Sequence, residues 1–173
     1  MGSKFLIDTN IWIDMLNNLP LAAATLKEVD DAAISAITYM EVASACTPSE
    51  KAVFDLLLED DVPIIHSNDK VTQLATAFNQ DPSTWRGRGS RHLPDSIIGA
   101  TAVATGRILL TRNPGDFKNC TGITTVTPYQ GGWTTTVVSG VEVKTWTPAN
   151  APAAAEAAST AQPPATPGAG QPG

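Results

Sequence analysis

Cysteine is nearly absent from this chain. Two, Cys46 and Cys120, among 173 residues leave no disulfide framework and no four-cysteine zinc site. They suit a reducing compartment and read as packing residues. Charge is scarce as well: 16% of residues are Asp, Glu, Lys or Arg, and 11 basic against 17 acidic side chains give −6. That balance excludes a histone-like basic nucleic-acid binder, although a local cluster of one sign still governs its own surface. No apolar run approaches the ~18 residues of a membrane-spanning helix. The first eight residues lack the apolar core of a signal peptide, and Leu6 stands where a myristoylation pattern wants Ser or Thr. The expectation is a cytoplasmic protein with no membrane partner. There is no internal repeat, and the length suits about one domain, large enough to bury a core.

What is present divides the chain. From Ala149 to Gly173 alanine, proline and glycine dominate and Glu156 is the sole charge, so nothing there can form a core and a disordered tail over 149–173 is expected. Before it, apolar runs alternate with helical patterns. Strands are expected at Lys4–Ile7, Ala32–Ser35, Val62–Ile65, Ile108–Leu110 and Ile123–Val126, with Pro63 marking an edge or a strand start. Helices are expected after Thr9-Asn10, over Leu21–Val29, from a Thr38 cap to Cys46, from Pro48, from Ser67, and from Pro94 to a stop at Gly106. Residues 80–93 read as loop. Such alternation predicts an α/β fold, a parallel sheet with helices on both faces, whose site lies at the carboxyl ends of the strands. Beyond it, Thr134–Val138 and Val141–Trp146, split by Ser139-Gly140, give a hairpin signal. The expected division is 1–128 for the α/β domain, 129–148 for the hairpin and 149–173 for the tail.

The rule about strand ends makes four acids informative. Asp8 ends the first strand, Glu41 is expected in the first turn of the helix after the second, Asp95 opens the Pro94 helix, and Asp116 follows the fourth strand in Thr111-Arg112-Asn113-Pro114-Gly115-Asp116-Phe117. Four converging carboxylates repel and need a cation, and all-oxygen ligands select Mg²⁺ or Mn²⁺. A carboxylate-held Mg²⁺ that keeps its waters is apparatus for phosphodiester hydrolysis. Taken singly, each acid has a plainer use: Asp8 as a helix cap, Glu41 and Asp95 as acids facing a helix dipole, Asp116 as a turn residue.

Four blocks carry a family likeness. Asp8-Thr9-Asn10-Ile11-Trp12, Ile34-Ser35-Ala36-Ile37-Thr38-Tyr39-Met40-Glu41-Val42, Leu93-Pro94-Asp95-Ser96-Ile97-Ile98-Gly99-Ala100-Thr101-Ala102 and Leu109-Leu110-Thr111-Arg112-Asn113-Pro114-Gly115-Asp116-Phe117 resemble the PIN domain, and most of all the VapC toxins of bacterial toxin–antitoxin pairs. The likeness covers about residues 4–127 and lies in the order of the blocks, each of which is unspecific alone. It implies a three-layer PIN-like fold and a Mg²⁺- or Mn²⁺-dependent endoribonuclease. It also implies a homodimer silenced by a cognate antitoxin. By the match, Asp8, Glu41, Asp95 and Asp116 are catalytic metal ligands, with Asn10 and Asn113 as polar support. The hairpin and the tail fall outside the likeness.

Six of the 11 basic residues, Arg86, Arg88, Arg91, Arg107, Arg112 and Lys118, fall within 33 positions, opposed there by Asp95 and Asp116 alone. An arginine loop beside a metal site suits RNA phosphates, so Arg86, Arg88, Arg91 and Arg112 are candidate RNA contacts. Trp85 is expected to tuck against the domain rather than stack on a base, Trp12 to be core, and His66 to be structural. His92 is the weaker candidate for a base. Two further readings compete: a PIN-fold module that binds RNA or a partner without cleaving, and a metal-dependent phosphatase. The complete set of four acids speaks against the first, and the arginine loop against the second.

Overall fold

The computed structural model describes residues 3–59, 61–80, 93–117, 120–138 and 141–148. The arginine loop (Arg86, Arg88, Arg91, with Trp85 and His92) and the tail from Ala149 lie outside the described residues.

Five short strands form one parallel sheet: β1 Lys4–Ile7, β2 Asp31–Ser35, β3 Ile64–Ile65, β4 Ile108–Leu110 and β5 Thr125–Val126, in the order β3-β2-β1-β4-β5. The register sets Leu6 beside Ala33 and Leu109. Period-two alternation then sends neighbouring residues to opposite faces. Ile7, Ile34 and Leu110 join Trp12, Val42 and Phe54 in one core; Leu6, Ala33 and Leu109 join Ile98 and Phe117 in another. Both faces are therefore dry, as a sheet wound between helices requires. Trp12 is core as expected, edge-on to Phe54 at 5.3 Å between ring centroids. Pro63 precedes β3 at the sheet edge, where its missing N–H costs no ladder bond, and its carbonyl accepts from Ile34 N at 3.1 Å.

The helices are α1 Thr9–Leu16, α2 Pro20–Lys27, α3 Ala36–Ala45, α4 Pro48–Glu59, α5 Asp69–Gln80 and α6 Leu93–Thr105. Three starts differ from expectation, each because a side chain one to three residues earlier captures a free helix N–H. Asp8, rather than Thr9 or Asn10, caps α1. Ser35, rather than Thr38, caps α3, its Oγ accepting from Thr38 N at 2.9 Å. Asn68 Oδ1 accepts from Val71 N at 3.0 Å, so α5 starts at Asp69 instead of Ser67. The second shift matters for the site. With α3 beginning at Ala36, Glu41 stands in its second turn, not its first. Gly106, at φ +65°, ends α6 as expected.

At the amino ends of the strands Arg107, just before β4, bridges β1 and β2. Its Nη1 donates to the Phe5 carbonyl at 3.2 Å, the Asp31 carbonyl at 3.0 Å and Asp31 Oδ1 at 2.7 Å. Of the six clustered cations, this one is structural.

β6 Gly131–Val138 and β7 Val141–Pro148 form a separate two-stranded antiparallel sheet. Trp133 stands opposite Trp146, Thr135 opposite Lys144, Val137 opposite Glu142 and Val138 opposite Val141. The strands are longer than the sequence pattern suggested by three residues at the start of β6 and two at the end of β7. No helix among the described residues is long and apolar enough to cross a membrane.

Candidate active site

β1 lies at the middle of the sheet and Asp8 directly follows it, so the carboxyl end of β1 delivers that side chain between β2 and β4. Asp8 N donates to the Leu110 carbonyl at 3.0 Å, which carries the ladder one residue past the strand. The side chain is buried, and both oxygens are taken. Oδ1 accepts from Thr9 N at 2.7 Å; Oδ2 accepts from Asn10 Nδ2 and from Thr111 Oγ1, each at 2.7 Å. Asn10 Nδ2 also donates to Thr111 Oγ1 at 3.1 Å, and Asn10 Oδ1 accepts from Arg112 N at 3.2 Å. Thr111 Oγ1 accepts in turn from Asn113 N at 3.0 Å. One network thus ties the start of α1 to the loop after β4 and fixes the rotamer of Asp8.

Burial pushes the Asp8 carboxyl up to about 6. The hydrogen bonds from Thr111 and Thr9 pull the other way, while the charges of Asp95 and Glu41 push it up further. Three of the four acids singled out by sequence therefore share one electrostatic neighbourhood. Glu41 is placed by Thr9, whose Oγ1 donates to Oε2 at 2.5 Å. Asp95 is third in α6, and Asp116 closes the 3-10 turn Pro114–Asp116 after β4. Both are half-buried.

Among the described residues no group of three or more His, Cys, Asp or Glu is drawn together tightly enough to enclose an ion. The donor chemistry nonetheless fits a hard divalent cation. The set is oxygen only, one member is a carboxylate raised by burial and further by two like charges, and a Mg²⁺ that keeps most of its waters needs only one or two direct carboxylates.

Arg112 does something the sequence did not suggest. Its Nε stands 2.6 Å from Asp14 Oδ2, and Nη2 donates to Asp14 Oδ1 at 3.1 Å. Asp14 is fully buried on α1, and Tyr129 OH donates to its Oδ2 at 3.0 Å. Burial first, then the Asp14 carboxylate, drives the Tyr129 phenol far above the ordinary tyrosine range. The guanidinium expected to meet RNA phosphate is thus used inside the domain, pinning the loop after β4 to α1. One signal for this was available. Asp14 lies three residues after Ile11, on the inward stripe of α1, and an acid there needs a buried partner. Thr9 and Thr111, which orient Glu41 and Asp8, were missed as well; both adjoin strand-end positions. His66 is exposed just past β3, Cys120 is buried and Cys46 half-buried.

The PIN domain family profile matches residues 5–121. Solved structures share the fold. A toxin–antitoxin complex from Klebsiella pneumoniae is 31% identical at a TM-score of 0.59, covering 73% of this chain and 98% of that one. VapBC2 from Rickettsia felis, bound to a DNA fragment from its promoter, is 20% identical at 0.60 (70% and 96% covered). VapBC-1 from nontypeable Haemophilus influenzae is 22% identical at 0.58 (72% and 97%). No curated protein sequence gives a significant match. The family match ends ten residues before β6 begins at Gly131.

Proposed function

Because the chain belongs to the PIN domain family, whose members are generally nucleases, we propose that it is a Mg²⁺- or Mn²⁺-dependent endoribonuclease and the toxin of a VapBC-like pair. The observation that carries the reading is the state of Asp8: buried at the carboxyl end of the central strand, oriented by three donors, and held near 6 with Asp95 and Glu41 pressing on it. Capping α1 does not require a carboxylate that is buried and crowded by two others, and burying and crowding a carboxylate costs stability. A cation would turn the cost into affinity.

Asp8, Asp95, Asp116 and Glu41 would hold the metal. When bound, it would supply positive charge to the phosphoryl oxygens and acidify a water. The protein's own part is positional. Thr111, Asn10 and the Thr9 amide keep Asp8 from rotating away, Thr9 keeps Glu41 aimed, and Asn113 takes part in the same loop through its backbone N–H. One carboxylate, directly or through a water, would orient the nucleophile for in-line attack on the phosphodiester. Arg86, Arg88 and Arg91 precede Asp95 closely in sequence and would meet the RNA backbone.

An antitoxin partner is supported by the toxin–antitoxin complexes among the similar structures and by exposed apolar side chains along α3 and α4 (Met40, Val53, Leu56 and Leu57). We take the site of action to be the cytoplasm, with a homodimer as the working unit. The decisive experiment is cleavage of total RNA by purified protein, with Mg²⁺ and with chelator, beside Asp95→Asn. Metal-dependent cleavage lost in the variant supports the reading. Cleavage that survives chelation, or none in any divalent metal, overturns it.

A further inference from the structure

Asn10 and Asp14 are four residues apart on α1, so they stand one above the other on one face of the helix. Arg112 reaches both. Its backbone N–H donates to Asn10 Oδ1 at 3.2 Å; its guanidinium lies against Asp14, with Nε 2.6 Å from Oδ2 and Nη2 donating to Oδ1 at 3.1 Å. Two attachments one turn apart fix the rotation of the loop after β4 against α1 as well as its distance, which a single contact would not. Thr111, just before this clamp, donates to Asp8 Oδ2, and Asp116 closes the turn just after it. The clamp therefore sits between the segments that carry Asp8 and Asp116. Asn10 completes the link, since its Nδ2 donates to Asp8 Oδ2 at 2.7 Å. Its amide cannot turn over without setting oxygen against oxygen at Asp8 and N–H against N–H at Arg112.

Tyr129 joins from beyond the family match, which ends at residue 121. Its hydroxyl donates to Asp14 Oδ2, the oxygen that Arg112 Nε also approaches. A continuous path of polar contacts thus runs from Tyr129 through Asp14, Arg112 and Asn10 to Asp8. Packing alone would join these segments without the cost of a fully buried carboxylate. A charged fork adds direction, because a guanidinium meets a carboxylate in a narrow range of geometries.

We infer that Asp14, Arg112 and Tyr129 are positioning residues of the metal site, which set Asp116 relative to Asp8 and thereby the affinity for the divalent cation. The Arg112 side chain is 19% exposed, which leaves little of it for an RNA phosphate. The inference rests on the metal-site reading above.

Mn²⁺ binding to the full chain without RNA tests it, read by electron paramagnetic resonance of the free ion. Removing groups that orient metal ligands typically costs about 10–100-fold in affinity. Arg112→Gln and Asp14→Asn should each weaken Mn²⁺ binding by about tenfold or more. Tyr129→Phe keeps the ion pair, should weaken binding by a smaller factor, and remains readable should the other two fail to fold. Phe54→Ala is the control for stability: it opens the core from α4, which carries none of the four acids, and should leave the Mn²⁺ affinity of the folded chain unchanged. Folded variants that bind Mn²⁺ as the wild type does overturn the inference. So does a Phe54→Ala chain that loses as much affinity as Tyr129→Phe, or an Arg112→Gln chain whose only losses are a raised KM for RNA and a flatter salt dependence. Failure of the nuclease reading looks different: the wild-type chain would bind Mn²⁺ and cleave no RNA, with the losses of affinity in the variants intact. A wild-type chain that binds no Mn²⁺ overturns both.

Discussion

The two sheets of this protein are held by different means. In the five-stranded sheet, strands of two to five residues are held by what covers them: both faces are buried, and each of the three central strands places adjacent residues into separate cores. In the hairpin, eight-residue strands are held by their own ladder, with Thr135, Thr136, Val137 and Thr145 exposed. Length does not decide which is the stable element; burial does. The buried sheet can therefore carry crowded acids at its end, a cost that the ladder of an exposed hairpin could not offset.

The contrast breaks most sharply at the site. Asp95→Asn or Asp8→Asn should lower RNA cleavage by at least about 100-fold, the scale of losing one preorganised electrostatic group. No single substitution in β6 should lower the rate per folded molecule. Purified variants on one RNA substrate decide this.

In the core, Phe54→Ala removes a fully buried ring that packs on Trp12 and Tyr39, and should cost about 3–5 kcal/mol. Arg112→Ala should cost a similar amount, about 3–5 kcal/mol, by stranding the fully buried Asp14. Tyr129→Phe, which removes one donor to Asp14, should cost about 1 kcal/mol. Val137→Ala, at an exposed hairpin position, should stay within about 0.5 kcal/mol. Urea denaturation of the four proteins gives the ranking, and a Val137 variant as damaging as Phe54→Ala would erase the distinction between the sheets.

A subtler effect is in pH. Asp8 is raised from 3.8 to about 6, so between those values the metal-free native state holds more protons than the unfolded chain. Stability should therefore fall as pH rises from about 4 to about 6, by up to about 3 kcal/mol, and level off above. Asp31 and Asp55 are lowered, so their contributions are lost only on further acidification and do not mask this window. Melting temperatures at pH 4.5 and 7 without metal should differ in the wild type and less so in Asp8→Asn. Smaller still, Glu41→Gln should bring the Asp8 carboxyl below about 6 in an NMR titration, since it removes one of the charges that raise it.

The fold was legible because its signals are local. Apolar runs marked the strands, Pro63 marked the edge, and Gly106 marked the end of α6. The strand-end rule singled out Asp8, on whose carboxyl the charges of Asp95 and Glu41 act. Helix starts were less legible, since Ser35 both ends β2 and caps α3, and nothing in the pattern prefers it over Thr38. An inward Asp14 called for a buried partner, but which residues supply it was not legible, because Arg112 and Tyr129 lie 98 and 115 residues away from it. Charge content gave no hint that Arg112 turns inward. Nor did it show that three donors converge on Asp8, so that an asparagine there must set an N–H against one of them, offsetting part of what removing the charge would gain.

The central position of β1 bears on how the protein is made. β1 is synthesised before the other strands of its sheet and sits at the middle of it. On one side it can pair with β2 once residue 35 has emerged; on the other it waits for β4 at Ile108–Leu110. Arg107, which bridges β1 and β2, and Thr111, which fixes Asp8, arrive with that same short segment. A nascent chain that ends before Thr111 thus lacks a donor that fixes Asp8 as well as the turn that carries Asp116. Translation order itself withholds Thr111 and Asp116, which the proposed nuclease site would need, until nearly the whole α/β domain has been synthesised.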